Sequence, residues 1–236
     1  MQDILPSIRE RHSAREAFDP ARPVNAADLA KIFEAARWAP TAHNMQNFEI
    51  IAIDDPEQLQ RVGAIPTHVS DVFIRENFDQ LSFSEEELRK KKVGILAKMF
   101  PSAWLEPGKE HEAAEVLRGS LKDTIQSAPL VLIVLYDARK RAPASEGDVL
   151  GFMSLGCIME NMWLAAQSLG LSFHVMSVFS SDAVESELRR VLSIPPYMRV
   201  AFACRLGYLA TRAQAILRVR RDADDFVHKN QFSKTV

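Results

Sequence analysis

The chain alternates between segments with helical spacing of apolar residues and short apolar runs typical of strands. Leu130 to Tyr136 is a continuous apolar run, which is typical of a strand buried on both faces. Shorter runs predict further strands at 48–53, 172–178 and 200–206. Since helices and strands are mixed and no linker or repeat divides the chain, we expect one α+β domain over residues 1–236.

Capping residues and prolines mark where the predicted helices begin and end. A short helix is expected over Asp3 to Arg15, and Asn25 is the predicted N-cap of a second one. Pro40 should end this second helix at or before Ala39, so that residues 41–47 form a loop. Similar signals predict further helices, which begin at Asp55, at Ser84 and near residue 110.

One predicted helix, from about Val149 to Leu169, is apolar on nearly all of its surface. It carries a single charged residue, Glu160, and Gly170 supplies a C-terminal stop. Several polar side chains along it argue against a membrane span. A helix of this kind must be covered on all sides, either at the centre of a large domain or across a subunit interface. We expect it to lie at the centre of a homodimer.

Composition and charge narrow the class of protein. Apolar residues make up 47% of the 236 residues and charged residues 25%, as in ordinary folded globular proteins. The net charge of −2 does not indicate a nucleic-acid-binding protein. The first fifteen residues lack the apolar core of a signal peptide, so we expect a cytoplasmic protein with no membrane partner. Cys157 and Cys204 are predicted to be small buried apolar side chains.

The motifs of many common active sites are absent from the sequence. There is no GxGxxG after a strand, no Walker A loop, no HExxH, no EF-hand loop and no GxSxG elbow. Among the six histidines, only His111 with Glu115 has a spacing that metal ligands use, and a pair on a helix surface explains it better. We therefore predict no metal site.

Two basic clusters and one polar loop remain as candidate binding groups. Arginines beside a hydroxyl suit a phosphate, because each guanidinium donates two parallel hydrogen bonds and the hydroxyl adds another. Asn and Gln suit a heterocycle or a sugar, since they offer donors and acceptors together. The alternative is that the arginines form surface ion pairs and that the loop is an ordinary turn. The groups are Arg11 with His12, Ser13 and Arg15; Arg218 with Arg220 and Arg221; and the loop Pro40 to Gln46.

Several motifs occur in an order that is similar to one known family. They are Arg11-His12-Ser13-Ala14-Arg15, the segment from Ala35 to Phe48, Ser127-Ala128-Pro129, the helix Asn161 to Leu171, Ile194-Pro195, Leu206-Gly207-Tyr208 and the basic tail. Their order resembles that of the FMN-dependent nitroreductases. The likeness covers residues 1–60 and 125–228, while residues 66–124 look like an insertion, and Thr41 and Asn47-Phe48 depart mildly from the family pattern. It implies a nitroreductase-like α+β fold with a central mixed or antiparallel sheet flanked by helices. It also implies an intertwined homodimer with FMN sites at the subunit interface.

The resemblance also implies the residues that bind FMN. Arg11, His12, Ser13 and Arg15 would hold the phosphate and the ribityl or flavin edge, and Arg218 with Arg220, or Arg221 in its place, would close on the phosphate. The residues that would contact the flavin are Pro40, Thr41, Ala42, Asn44 and Gln46, the first of them from the partner subunit. A backbone amide of Met176, Ser177 or Val178 would face flavin N5. No side chain need be catalytic.

The activity implied by the resemblance is a reaction in two alternating half-reactions. NADH or NADPH delivers hydride to FMN and leaves, and a nitroaromatic, quinone or similar acceptor then takes the electrons. Alternatives are other flavin chemistry on the same fold (dehalogenation, azoline oxidation or flavin breakdown), a non-catalytic FMN-binding protein, and an α+β scaffold without flavin. The aromatic side chains that could cover the substrate pocket are Phe73, Phe78, Phe100 and Trp104, with His43 a weaker candidate for substrate contact.

Overall fold

The computed structural model describes residues 3–67, 84–92, 122, 124–211 and 218–232. Two compact units divide the chain: Met1–Thr67 with Gly119–Ala213, and His68–Arg118 with Gln214–Val236. The single domain and the insertion near 66–124 stay predictions. The four aromatic side chains at 73, 78, 100 and 104, the His111/Glu115 pair and most of the helix predicted over 110–127 lie outside the described residues.

Most of the described elements belong to the first unit. Its helices are α1 (Leu5–Glu10), α2 (Ala26–Arg37), α3 (Pro56–Gly63), α5 (Val149–Ser168) and α6 (Asp182–Leu192), and its strands are β1 (Glu49–Ile53), β2 (Leu130–Asp137), β3 (Ser172–Val175) and β4 (Met198–Gly207). Short 3₁₀ turns occur at Ala42–Asn44 and Ser177–Ser180. The second unit contains α4 (Glu85–Lys91) and a 3₁₀ turn at Ala223–Asp225.

The four described strands form one sheet in the order β1-β2-β4-β3, and every neighbouring pair is antiparallel. Strand β2 is apolar from Leu130 to Leu135, and both of its faces are buried there. Val131 and Ile133 contribute to one hydrophobic core, and Leu132 and Val134 to the other. The prediction of an α+β fold is confirmed, with the sheet in its antiparallel form.

Helices cover both faces of this sheet. Helices α2 and α5 pack on one face, where Ile32, Ile158 and Met162 are buried. Helices α3 and α6 supply Val62 and Leu188 to the core on the other face. The N-cap prediction for α2 is confirmed, since the Asn25 side chain accepts a hydrogen bond of 2.7 Å from the amide of Ala27.

Helix α5 is held by its polar side chains as well as by its apolar ones. The Nδ2 of Asn161 donates to the carbonyl of Ala35 in α2 at 3.0 Å, and the Nε2 of Gln167 donates to the carbonyl of Ser7 in α1 at 3.0 Å. By length and composition alone α5 could cross a membrane, but the core helices of globular proteins often have the same length and composition. These hydrogen bonds tie it to its neighbours in the first unit.

Several predicted boundaries are wrong. The first helix does not reach Arg15 but ends at Glu10, because the following residues bond in extended conformation: the amide of Ala14 donates to the carbonyl of Phe173, and Phe18 pairs with Leu209. The strand predicted over 172–178 ends at Val175, because the chain turns there and buries Phe179. Helix α5 ends one residue before the predicted Leu169.

The two cysteines differ in burial. Cys204 in β4 is fully buried, as predicted, and burial raises the pKa of its thiol far above the ordinary value. Cys157 in α5 is only partly buried, so the prediction is wrong for it. Both thiols are unpaired.

Candidate functional site

The N-terminal basic segment, residues 11–16, follows α1 and lies against α5. The Nε of Arg11 is 3.0 Å from a carboxylate oxygen of Glu160, and its guanidinium lies 4.5 Å from the centre of the Trp163 ring. Both partners belong to α5. Since an arginine has two further NH₂ groups, this ion pair aligns the Arg11 side chain and still permits it to bind a second anion.

The backbone of the N-terminal basic segment is fixed by β3 and β4. Ala14 is buried, and its amide donates to the carbonyl of Phe173 in β3 at 3.0 Å. The Nη2 of Arg205 in β4 donates to the carbonyls of residues 14, 15 and 16 at 3.5, 3.0 and 2.9 Å. The side chain of Arg15 is exposed, and Ser13 is half-buried. The predicted phosphate-binding side chains therefore project from an ordered backbone.

Arg205 also binds a histidine in β3. Its Nε donates to Nδ1 of His174 at 2.9 Å. An arginine N–H can only donate, so Nδ1 accepts and the neutral imidazole carries its proton on Nε2. Burial, together with the positive charges of Arg205 and Arg15, lowers the pKa of His174 to about 3. Burial lowers the pKa of Arg205 to about 10, against the opposing effect of Glu16, so Arg205 stays charged at neutral pH.

The neutral state of His174 makes stability depend on pH. In the unfolded chain its pKa is near 6.5, so below that pH only the unfolded state takes up this proton. The contribution of His174 is present in full above pH 6.5, and we expect it to fall by about 2 kcal/mol between pH 7 and pH 5. Urea unfolding of the protein and of His174→Gln at both pH values measures it. The variant should lose less stability on acidification, and an equal loss in both proteins would contradict the assignment.

The polar loop, residues 40–46, is anchored at Ala42 and through Asn47, the residue that follows it. The amide of Ala42 donates to the hydroxyl of Ser154 in α5 at 2.9 Å. Asn47 forms two hydrogen bonds with the backbone of Asp137 at the end of β2, at 3.1 and 3.0 Å. A pocket beside the loop is lined by Thr41, Ala42, Ser154 and other residues of the first unit. The loop is therefore placed at the N-terminal half of α5.

Three residues of the polar loop have left-handed backbone conformations. His43, Asn44 and Gln46 have φ angles of 52°, 52° and 47°. Residues other than glycine are uncommon in this region of backbone conformation. Backbone strain of this kind is common where a loop binds a ligand. The exposed side chains of Asn44 and Gln46 bond each other at 3.2 Å. His43 is exposed in the same loop, and its contact with a substrate stays a prediction.

The N-terminal basic segment and the polar loop contact α5 at different levels. The segment meets the helix at Glu160 and Trp163, and the loop meets it at Ser154. Ser154 and Glu160 are about 9 Å apart along the helix axis at 1.5 Å per residue. The contribution of the loop to a flavin site in a partner subunit stays a prediction.

The segment from Met176 to Val178 supplies fewer candidate donors to flavin N5 than expected. Met176 is buried, and its amide donates to the carbonyl of Ala203 at 2.8 Å, which completes the pairing of this segment with β4. Ser177 and Val178 begin the 3₁₀ turn that follows β3. The predicted N5 donor is then the amide of Ser177 or Val178.

The arginines near the end of the chain belong to the second unit. Arg218, Arg220 and Arg221 are all exposed, and Arg220 donates to the carbonyl of Val219 at 2.8 Å. Arg221 lies 5.4 Å from the ring of Phe226. Their role at a phosphate stays a prediction.

Sequence reasoning missed Arg205 and His174. The sequence contained one signal, because Arg205 is a charged residue inside the apolar run of β4. It lies two positions after Ala203, which belongs to the hydrophobic core. Such a residue must bind polar groups that are distant in the sequence, which periodicity alone does not identify. Within the described ranges, no group of three or more His, Cys, Asp or Glu side chains is arranged to hold a metal ion.

The sequence model of the Nitroreductase family matches residues 8–208. The chain belongs to the nitroreductase family. The match includes the N-terminal basic segment, the polar loop and all four described strands. It ends before the arginines at 218–221.

Relatives of this nitroreductase-family protein are distant. It is 21% identical over 233 residues to an NADPH-dependent oxidoreductase of Staphylococcus haemolyticus, covering 96% of this chain and 72% of the relative. It is 24% identical over 168 residues to protein DrgA of Synechocystis sp., covering 71% of this chain and 68% of that protein.

Solved structures share the fold at low sequence identity. A tyrosine-to-phenylalanine mutant of the FMN and NADPH-dependent nitroreductase NfnB, derived from Sphigopyxis sp. strain HMH, has a TM-score of 0.68 at 18% identity, with 98% of this chain and 100% of that chain covered. An FMN-dependent nitroreductase from Clostridium difficile R20291 has a TM-score of 0.59 at 19% identity, with coverages of 97% and 99%.

Proposed function

We propose that this nitroreductase-family protein is an FMN-dependent oxidoreductase. It takes hydride from NADPH or NADH and passes it to a small-molecule acceptor such as a nitroaromatic or a quinone. The observation that carries the proposal is the N-terminal basic segment, in which Arg11, Ser13 and Arg15 project from a backbone held by Arg205. The names of the relatives support the same cofactor and reductant.

The donors of the N-terminal basic segment fit the phosphate of FMN. A phosphate monoester near neutral pH is a strong acceptor with up to two negative charges, and guanidinium groups bind it with paired hydrogen bonds. Arg11 and Arg15 supply such groups and Ser13 a hydroxyl, while Glu160 pairs with Nε of Arg11 at 3.0 Å. The charge of the buried Arg205 adds to the positive potential at this point.

The polar loop and the turn after β3 fit the rest of the cofactor. The exposed amide groups of Asn44 and Gln46 offer both donors and acceptors to a heterocycle. FMN, when bound, supplies the redox chemistry, in which N5 takes up hydride from the nicotinamide and later gives it to the acceptor. The chain contributes binding, orientation and an amide of Ser177 or Val178 as donor to N5.

The exposed apolar face of α5 supports a homodimer. Val149, Phe152 and Met153 are each more than half exposed, although they belong to the most apolar helix of the first unit. A second copy of this chain that covers this face would also bring its own polar loop to the interface, since the loop is bonded to Ser154 of the same helix. Both unpaired thiols agree with the reducing cytoplasm as its location.

Separate half-reactions test the proposed activity. The FMN-loaded protein is reduced with NADPH under anaerobic conditions, freed of nucleotide by gel filtration, and mixed with a nitroaromatic, a quinone, a halogenated aromatic and a buffer blank. We expect rapid return of the oxidised flavin absorbance with the nitroaromatic or the quinone. Reoxidation by the halogenated aromatic alone would favour a dehalogenase, and no reoxidation by any acceptor would contradict the proposal.

A further inference from the structure

The side chain of Arg205 forms hydrogen bonds with several parts of the first unit, in addition to the backbone hydrogen bonds of β4. Besides His174 and the three carbonyls of the N-terminal basic segment, its Nη1 donates to the hydroxyl of Ser127 at 3.0 Å and to the carbonyl of Thr124 at 3.3 Å. The guanidinium also lies 4.5 Å from the centre of the Phe18 ring. All five N–H groups of this one side chain are directed at the protein, and the residue is only 3% exposed.

These bonds orient the peptide groups of the N-terminal basic segment. Three successive carbonyls, from residues 14 to 16, face the same guanidinium. The described hydrogen bonds of that guanidinium go to carbonyls, a hydroxyl and a neutral imidazole, and none goes to a carboxylate. The carboxylate of Glu16 in the same segment opposes this charge electrostatically, so the positive charge of Arg205 beside Arg11 and Arg15 is partly compensated.

We propose that Arg205 is a positioning residue for the phosphate of the cofactor, acting through the N-terminal basic segment. It holds the backbone so that Arg11, Ser13 and Arg15 stand ready for the anion, and its buried charge favours a dianion over a neutral group. His174 assists by accepting from Nε, which fixes the plane of the guanidinium. This inference rests on the proposed FMN site and names a residue of the chain that acts there without touching the cofactor.

A comparison of FMN with riboflavin, which has no phosphate, separates positioning from general folding. Lysine at position 205 keeps a charge but lacks the planar fork, so it cannot bind carbonyls, hydroxyl and imidazole together. We expect Arg205→Lys to weaken FMN binding at least tenfold and riboflavin binding less than threefold. A merely structural role would change both affinities by the same factor. Fluorescence titration of the apoprotein with each flavin measures the ratio.

The matched control is Arg189→Lys. Arg189 also binds a backbone carbonyl, that of Met198 at 3.1 and 3.3 Å, and pairs with Glu185, but it lies in α6 and does not contact the N-terminal basic segment through these bonds. The ratio of FMN to riboflavin affinity should stay unchanged in this variant. If Arg205→Lys does not fold, His174→Leu removes only the acceptor of Nε and should lower the ratio about threefold.

The affinity ratios of these variants distinguish failure of the positioning role from failure of the proposed function. A ratio that falls in Arg205→Lys or His174→Leu, and not in Arg189→Lys, supports the positioning role. An unchanged ratio in a protein that binds FMN overturns this inference and leaves the proposed function intact. If the unaltered protein binds neither flavin, the proposed function fails, and the inference fails with it.

Discussion

Replacing Met153 with aspartate is expected to convert the proposed homodimer to a monomer and to weaken FMN binding at least a hundredfold. Met153 is 62% exposed on α5, beside the exposed Phe152 and Val149. If this face is covered by a second subunit over more than about 2,000 Å², as in obligate homodimers, a carboxylate there would be buried without a partner. The FMN site is lost with the interface because the polar loop of the partner is predicted to complete it. Sedimentation at micromolar concentration and FMN titration measure both effects.

A charge on another surface serves as the control for this change. Ser186 is exposed on α6, on the opposite face of the sheet from α5. Ser186→Asp should leave the sedimentation coefficient and the FMN affinity as they are in the unaltered protein. A monomeric unaltered protein that binds FMN tightly would refute the interface assignment.

Arg11→Ala is expected to weaken FMN binding by roughly 10- to 100-fold while the protein stays folded. A hydrogen bond to a charged group contributes about 1.5–3 kcal/mol, which corresponds to this range of affinity. The loss also leaves the carboxylate of Glu160 without its partner at 3.0 Å, close to where a phosphate would bind. Titration with FMN, together with a urea unfolding curve of the apoprotein, separates lost binding from lost folding.

The control for Arg11 is another arginine that forms an ion pair but has no proposed role at the site. Arg190 pairs with Glu187 on the surface of α6 at 2.8 Å. Arg190→Ala should leave the FMN affinity unchanged, since an exposed pair of this kind contributes little. If Arg11→Ala binds FMN as tightly as Arg190→Ala does, the phosphate is held elsewhere.

Local signals in the sequence predicted the parts of the fold that local interactions decide. Asn25 caps α2, and Ser84 with Glu87 forms the capping box of α4, because each involves residues two or three positions apart. The apolar run of β2 predicted a strand buried on both faces, and two cores enclose it. These features need no knowledge of distant contacts.

The parts that sequence reasoning placed wrongly depend on distant contacts. Residues 11–15 read as the end of a helix, yet Arg205, about 190 positions further along the chain, and Phe173 bind their backbone in extended form. The left-handed conformation of Gln46 also has no sequence signal, since glutamine does not favour it. The sequence predicted which residue types form the candidate site and their order along the chain. It did not predict the residues that orient them, such as Arg205.

The visible spectrum of the purified protein, with FMN added if the protein is colourless, tests the proposed FMN-dependent activity. It is recorded before and after anaerobic addition of NADPH and then NADH. We expect stoichiometric FMN, one per chain, whose yellow absorbance disappears with at least one of the two nucleotides. A protein that does not bind FMN, or bound FMN that neither nucleotide reduces, would contradict the proposed activity.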